Sequence, residues 1–100
     1  MTTYFVTRHA GAADWARQNA MEVIQISHLD IAKVQAGDVV IGSLPVHIAA
    51  HICAKDARYV HLAIDVPENH RGHELTAKQM TEFGASLQEF WIEKRSAYGQ

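Results

Sequence analysis

The sequence has few of the residues and segments that mark several common protein classes. Its 100 residues include one cysteine, Cys53, which excludes an intramolecular disulfide and a zinc site built from several cysteines. Two prolines and six glycines are too few for a collagen-like or low-complexity chain. No apolar run approaches the ~20 residues that cross a bilayer. The opening residues also lack the basic and apolar regions of a secretory signal. We therefore expect one cytoplasmic domain over residues 1–100, with no membrane partner.

An excess of basic charge is also missing. Nine Lys and Arg against eleven Asp and Glu give a formal net charge of −2. The broad basic face of a general nucleic-acid binder is therefore absent, and no DNA partner is expected. Seven histidines are present instead. Because histidine changes its charge near neutral pH, this enrichment is the first indication of acid–base chemistry.

Short apolar segments alternate with segments of helix-forming residues. β-Branched and aromatic side chains predict four strands, at residues 3–8, 22–27, 38–42 and 58–64. Helix-forming residues between them predict helices at residues 12–20 and about 45–55. Ser43 is expected to cap the second helix, and Pro45 to lie in its first turn, where a missing N–H costs nothing. Asp30 is expected to cap a single helical turn.

The last part of the chain has the pattern of a further helix. Thr76 and Gln79 have the spacing of a capping box, which marks a helix start. Apolar residues then recur at helical spacing, at Met80, Phe83, Leu87, Phe90 and Trp91. The pattern predicts a helix that runs from Thr76 to about Arg95, followed by a frayed tail at residues 96–100.

This alternation predicts a single α/β domain. Alternating strands and helices form parallel sheets whose two faces are covered by helices. We therefore expect a small Rossmann-like domain of three layers, with a four-stranded, mainly parallel sheet. Four short strands are few for such a sheet, and the last helix is strongly apolar on one side. A homodimer that buries more apolar surface is therefore expected.

Polar residues collect where the predicted strands end, which is where parallel α/β sheets bind ligands. They are Arg8, His9 and Gly11 after the first strand, His28 after the second, Gly42, Ser43, Pro45 and His47 after the third, and Asp65, Arg71 and Glu74 after the fourth. Arginine gives paired hydrogen bonds to phosphate oxygens, and glycine allows a backbone to approach closely. Neither glycine segment matches a dinucleotide fingerprint or a Walker loop. The pattern indicates a phosphate-bearing ligand other than NAD or ATP, with no cofactor.

Several of these residues also have ordinary structural interpretations. His47 and His51 share a helix face, which suits zinc, but the glutamate of the His-Glu-x-x-His motif is absent and no third ligand is evident. Trp15 stacks on a base or belongs to the core. His61 lies inside the fourth strand, where a packed and hydrogen-bonded histidine is the more common case. Arg8 binds a ligand or forms a structural ion pair.

Four motifs together carry a family resemblance over nearly the whole chain. They are Thr7-Arg8-His9-Ala10-Gly11-Ala12 with Trp15-Ala16, Gly42-Ser43-Leu44-Pro45-Val46-His47-Ile48-Ala49-Ala50, Asp65-Val66-Pro67, and Arg71-Gly72 with Glu74-Leu75-Thr76. In these motifs the sequence resembles a small CRISPR-associated accessory family of the Csx group, found beside type III systems. The resemblance implies a CARF-like fold and the activity of a ring nuclease, which cleaves the second messenger cyclic tetra-adenylate and ends the antiviral signal.

Position at the strand ends, together with membership of these motifs, suggests site roles. His9 or His47 is expected to act as general acid or base, while Arg8 and Arg71 hold the phosphate and stabilise its developing charge. Ser43 is expected to position the phosphate, Glu74 to orient an arginine or histidine, and Trp15 to stack on adenine. Attack by the ring's own 2′-hydroxyl needs no metal, and a two-fold homodimer matches the symmetry of the ring.

Two alternative functions remain open at this point. The same residues suit a non-catalytic protein that binds cyclic oligoadenylate as a sponge or sensor. A metal-dependent phosphoesterase built on His47 and His51 is the other alternative. A structural CRISPR accessory subunit leaves the polar residues unexplained.

Overall fold

The computed structural model describes residues 1–95, so the predicted frayed tail at residues 96–100 lies outside the described residues. Within them the chain forms a five-stranded sheet and three α-helices. The strands are β1 Thr3–Val6, β2 Ile24–Ile26, β3 Val39–Gly42, β4 Arg58–Ala63 and β5 Ser86–Phe90. The helices are α1 Ala12–Gln18, α2 Val46–Ala54 and α3 Ala77–Glu82, and two 3₁₀ turns span Ile31–Lys33 and Glu68–His70.

The sheet has the order β2-β1-β3-β4-β5, in which the first four strands are parallel and β5 is antiparallel to β4. Strand β3 is buried at every residue, as its continuous apolar run predicts for a strand covered on both faces. The four parallel strands therefore end on one side of the sheet, which we call the carboxyl end. The predicted α/β class is confirmed. The sheet has five strands instead of the predicted four, because β5 is not among the predicted strands.

Helices cover both faces of the sheet. On one face, α1 and α3 pack Trp15 and Met80 against Phe5 and Ile41 of the central strands. On the other face, α2 packs Ile52 against Val40 and Tyr59. Burial of these large apolar side chains is the main source of stability. The protein thus has three layers, with the central strands β1 and β3 inside.

The sequence-based prediction of a helix from Thr76 to Arg95 is wrong after its first turns. The capping box is present, because the Thr76 hydroxyl accepts from the Gln79 amide and the Gln79 side chain accepts from the Thr76 amide. The helix nevertheless ends at Glu82. Gly84 follows with a positive φ of 75°, and the chain then returns as β5, so the apolar residues of the stripe belong to two elements.

All three helices end in the same hydrogen-bond pattern. After α3, the Gly84 amide donates to the Thr81 carbonyl and the Ala85 amide donates to the Met80 carbonyl. This pair is the Schellman motif, which needs a residue with positive φ just after the helix. Ala20 and Asp56 have the corresponding position after α1 and α2, with φ of 58° and 61°. Glycine is the usual residue there, so only the third helix end carries a clear sequence signal.

The start of α2 differs from its prediction. Ser43 makes no capping hydrogen bond, and Pro45 itself is the cap residue, so that the helix begins at Val46. The Ser43 hydroxyl instead donates to the Leu62 carbonyl at 2.6 Å, which ties the end of β3 to β4. The predicted turn after Asp30 is confirmed, because the Asp30 carboxylate accepts from the Ala32 amide at 3.1 Å.

Asp38 is the one buried charged residue among the described positions. Its carboxylate accepts hydrogen bonds from the backbone amides of Gln35 and Thr2, at 2.9 and 3.0 Å. These donors favour the ionised form and lower the pKa of the Asp38 carboxyl, the Gln35 amide having the larger effect. Asp38 thereby fixes the N-terminus and the loop that precedes β3.

Candidate functional site

The strand order reverses between β1 and β3, which lie side by side in the sheet. From the carboxyl end, β1 leads to α1 on one face and β3 leads to α2 on the other. The two connections therefore separate and leave a crevice, where open α/β sheets bind their ligands. The topology places Arg8 and His9, which follow β1, at this point.

Arg8 and His9 line a cavity of about 510 Å³ together with Gly72, His73 and Glu74. We call it the Arg8–Glu74 cavity. A shallower hollow of about 310 Å³ adjoins it at Glu74 and extends along Gly11 to the start of α3. A volume of this size is in the range of small-molecule sites. Of the predicted site residues, the structure thus brings Arg8, His9 and Glu74 together.

The Arg8 guanidinium faces solvent and has no carboxylate partner among residues 1–95, where the ion pairs are Asp14–Arg17, Arg58–Glu89 and Lys78–Glu82. The interpretation of Arg8 as half of a structural ion pair is therefore not supported. A planar guanidinium offers paired donors to an incoming phosphate. The only carboxylate that lines the cavity is Glu74.

His9 is held in place at both its backbone and its ring. Its carbonyl accepts from the Gln25 side chain at 2.9 Å, and its amide donates to the Thr7 hydroxyl at 3.1 Å. The ring nitrogen Nδ1 accepts from the Leu75 backbone amide at 3.2 Å. A neutral imidazole whose Nδ1 is an acceptor carries its proton on Nε2. The structure therefore gives His9 one ring nitrogen for a ligand, and that nitrogen is a donor.

Gly11 allows the segment before α3 to approach this ring. A Cβ atom at Gly11 would lie 2.4 to 2.6 Å from the backbone of Leu75, Thr76 and Ala77. The Gly11 amide also donates to the Leu75 carbonyl at 3.1 Å. The close approach expected at this glycine is made by the chain itself, and Gly11 also lines the adjoining hollow.

Trp15 is a core residue. Only 5% of it is exposed, and its ring packs edge-on against Phe5 with centroids 6.2 Å apart. A ring covered in this way cannot stack on a base, so Trp15 does not belong to the ligand site. Its alternative interpretation as part of the core is confirmed.

His47 lies outside the Arg8–Glu74 cavity. It lines a separate groove of about 460 Å³ with His51 on α2 and with the segment from Trp91 to Lys94. The structure thus separates the two candidate catalytic histidines, and His9 alone remains beside Arg8. Among residues 1–95, no three side chains of the histidine, cysteine, aspartate and glutamate types come together as a metal site would require.

Three further candidates have structural positions. Gly42 is buried in the sheet, where a Cβ would lie 3.0 Å from the Val6 carbonyl oxygen. Ser43 is engaged with Leu62, as described, and Pro45 caps α2. These residues shape the end of β3, and none of them lines the Arg8–Glu74 cavity.

His28, Asp65 and Arg71 are exposed at the carboxyl end without lining the cavity. The Arg71 Nε donates to the Val66 carbonyl over 3.4 Å, a long hydrogen bond, and the residue directly precedes Gly72 of the cavity wall. All three follow strands or loops at the carboxyl end of the sheet, outside the residues that line the cavity.

The residue that the sequence analysis did not select is His73. It lies on the loop after the second 3₁₀ turn and lines the cavity between Gly72 and Glu74. Its sequence signal is its place beside Arg71-Gly72 and Glu74. His61, by contrast, is confirmed as a packed residue, because its Nδ1 lies 2.7 Å from the Tyr59 hydroxyl and its ring packs against Phe90.

The comparisons with known proteins identify one family. A family model described as "Putative CRISPR-associated protein (Cas_VVA1548)" matches residues 4–93. No curated protein and no solved structure matches the chain. No helix within residues 1–95 is long and apolar enough to cross a membrane.

Proposed function

Because the chain belongs to the CRISPR-associated family Cas_VVA1548, we propose that it is a ring nuclease of type III CRISPR systems. Its substrate in this proposal is cyclic tetra-adenylate, which it binds and cleaves without a metal. The observation that carries the proposal is the Arg8–Glu74 cavity, where an arginine with no ion-pair partner among residues 1–95 and a fixed histidine meet at the switch point of the mostly parallel sheet.

Arg8 and His9 supply what a phosphodiester needs at this position. The guanidinium binds the non-bridging phosphate oxygens, and Nε2 of His9 donates a further hydrogen bond to the same phosphate. Donors fixed before the reaction stabilise the charge that develops on phosphorus-bound oxygens, at no cost of reorganisation. The Leu75 amide fixes the His9 ring in the orientation that makes this possible.

The reaction uses the ring's own 2′-hydroxyl as the nucleophile. Its oxygen forms a bond to the adjacent phosphorus, and the bond from phosphorus to the 5′-oxygen breaks. The products are linear oligoadenylates with a 2′,3′-cyclic phosphate at one end and a 5′-hydroxyl at the other. Positioning of the hydroxyl in line with the leaving oxygen supplies much of the rate.

The remaining polar residues at the carboxyl end suit a ligand larger than one nucleotide. Arg71, His28 and Asp65 lie outside the cavity but on the same side of the sheet. A ring of four nucleotides extends beyond a cavity of about 510 Å³. In the proposal, Arg71 binds a second phosphate of the ring, while Arg8 holds the phosphate that is cleaved.

An uncovered apolar surface supports the homodimer. Val46, Phe90 and Trp91 are 68%, 44% and 63% exposed and lie on the sheet face that carries α2. This surface extends from Val46 near the carboxyl end to Trp91 beyond the amino end of β4. A two-fold axis parallel to the strands would pair it with its copy and leave both carboxyl ends on the same side. One ring would then contact both subunits.

The test is incubation of the purified protein with labelled cyclic tetra-adenylate, with and without EDTA, followed by separation of the products. The proposal predicts cleavage that EDTA does not reduce, and products that end in a 2′,3′-cyclic phosphate. Arg8→Ala is expected to reduce cleavage by a factor of at least about 100. His51→Ala is the matched control, because His51 lines the separate groove between α2 and Trp91. This variant should cleave at the wild-type rate.

The other outcomes identify the alternatives. Binding without cleavage products would show that the protein is a sponge and not a nuclease. Cleavage that EDTA abolishes would show that it is a metal-dependent phosphoesterase. The absence of both binding and cleavage would leave a structural role in the CRISPR system.

A further inference from the structure

We propose that His73 is the general base of the reaction, a role that rests on the proposed cleavage by the 2′-hydroxyl. His73 and His9 are the two imidazoles that line the Arg8–Glu74 cavity. They come from two distant segments of the chain, His9 from the end of β1 and His73 from the loop before α3. The two imidazoles have different roles in the reaction.

His9 is not free to accept the proton. Its Nδ1 already accepts from the Leu75 amide, and a backbone amide cannot give up its proton to the ring. The neutral ring therefore has its proton on Nε2, the nitrogen left for the ligand. In that form Nε2 donates a hydrogen bond and has no lone pair for the 2′-hydroxyl proton. His9 thus serves as a neutral hydrogen-bond donor to the phosphate.

The geometry of the reaction also requires a separate base. In an in-line displacement the attacking 2′-oxygen and the departing 5′-oxygen lie on opposite sides of phosphorus. The base must approach from the side of the 2′-oxygen, whereas the donors to the phosphate lie around its other oxygens. With Arg8 and His9 as the donors to the phosphate, a base from a separate segment of the cavity wall suits this geometry, and His73 comes from such a segment.

His73 has the chemistry that the base needs. Its side chain is exposed, and neither ring nitrogen has a hydrogen-bond partner among the described residues. Histidine is the side chain that enzymes use most often as a general base. The other basic group at the wall is the Glu74 carboxylate.

Neutral His73 takes the proton of the 2′-hydroxyl as the 2′-oxygen bonds to phosphorus. The electron pair of the breaking bond stays on the 5′-oxygen, which takes a proton from water at the open mouth of the cavity. The imidazolium of His73 then returns its proton to the solvent. No metal, oxidant or second substrate takes part.

His73→Ala tests the role by cleavage and by binding of the 2′-deoxy analogue of cyclic tetra-adenylate, which lacks the nucleophile. We expect cleavage to fall by a factor of about 100 or more, with unchanged binding of the analogue. Added imidazole should restore cleavage to His73→Ala and have no effect on Arg8→Ala. His51→Ala again provides a control on a histidine outside the cavity.

The results separate this inference from the proposed function. If the wild-type protein does not cleave the ring, the proposed function fails first. If the wild type cleaves and His73→Ala cleaves at the same rate, the function stands and His73 is not the base. Loss of analogue binding, or a loss of cleavage that imidazole does not restore, would make His73 a binding or structural residue and also overturn the inference.

A second measurement tests the role of His9 without an activity assay. Nitrogen-15 NMR of the histidine rings distinguishes a protonated from an unprotonated ring nitrogen. We expect Nε2 of His9 to carry the proton and Nδ1 to be unprotonated at neutral pH. A His9 ring with its proton on Nδ1 would leave Nε2 as an acceptor, and His9 could then itself be the base.

Discussion

The Leu75 backbone amide donates a hydrogen bond to Nδ1 of His9 across 66 residues of sequence, at 3.2 Å. The Leu75 carbonyl accepts from the Gly11 amide at 3.1 Å. One residue thereby joins the loop with His73 and Glu74 to the turn with Arg8 and His9. The walls of the candidate site are held together by one hydrogen bond between backbone groups and by one from a backbone amide to the His9 ring.

Gly11→Ala should disturb this junction. The new Cβ would overlap backbone atoms of residues 75–77, so α3 and its preceding loop must move. We expect a loss of about 1–3 kcal/mol in the free energy of unfolding, together with at least a tenfold loss of ring cleavage. Urea denaturation and the cleavage assay measure the two effects.

Gly84→Ala is the matched control for Gly11→Ala. Gly84 has a φ of 75° and open space around its Cα, so alanine there costs backbone strain without moving a neighbour. The expected cost is about 1 kcal/mol of stability, with wild-type cleavage. If both variants cleave like the wild type, Gly11 does not support the site.

Trp15→Ala should lower the free energy of unfolding by about 3–5 kcal/mol, because the ring fills the core beside Phe5. Trp15→Phe retains part of the apolar volume and should lose less. Urea denaturation gives both values. A Trp15→Ala variant with wild-type stability and weaker binding of cyclic tetra-adenylate would show that Trp15 belongs to the ligand site.

Trp91→Asp should convert the proposed homodimer to a monomer. The charge would enter the apolar surface that also contains Val46 and Phe90. Sedimentation equilibrium reports the mass directly. Ile24→Asp, at an equally apolar and exposed position on β2, is the control and should remain dimeric. If Trp91→Asp also remains dimeric, the subunits associate elsewhere.

The contribution of Asp38 should depend on pH. The folded state lowers the pKa of this carboxyl, so its stabilising effect is fully present above the ordinary aspartate pKa of about 3.9 and is lost as the pH falls through the lower folded value. The stability difference between the wild type and Asp38→Ala should therefore be constant from pH 7 to 5 and shrink below pH 4. Urea midpoints across this range measure it. A constant difference down to pH 2 would show that ionisation of Asp38 does not matter.

Local sequence signals predict most of the fold. The parallel strands β1 to β4 follow from their β-branched runs, and the capping box at Thr76 marks the start of α3. The error after Glu82 has a physical cause, because Met80, Phe83 and Leu87 fit helical spacing although they belong to two elements. Gly84 gives the correct signal, since a glycine after the last helical turn ends a helix by a Schellman motif.

The sequence predicts where the site lies, but not which residues line it. Parallel strands that end together place Arg8, His9 and Glu74 at one end of the sheet, and these three share a cavity. Strand assignment cannot show that the outer face of α2 turns His47 towards Trp91, or that Trp15 turns into the core. Nor does it show that the loop before α3 returns to β1, and that return is what brings His73 to the cavity.

The most direct test of the account is a crystal structure of the protein with the 2′-deoxy analogue of cyclic tetra-adenylate. We predict one phosphate in the Arg8–Glu74 cavity, within hydrogen-bond distance of the Arg8 guanidinium and of Nε2 of His9, with Arg71 near a second phosphate. A ring that binds in the groove between His47 and Trp91, or that makes no contact with Arg8, would contradict the account.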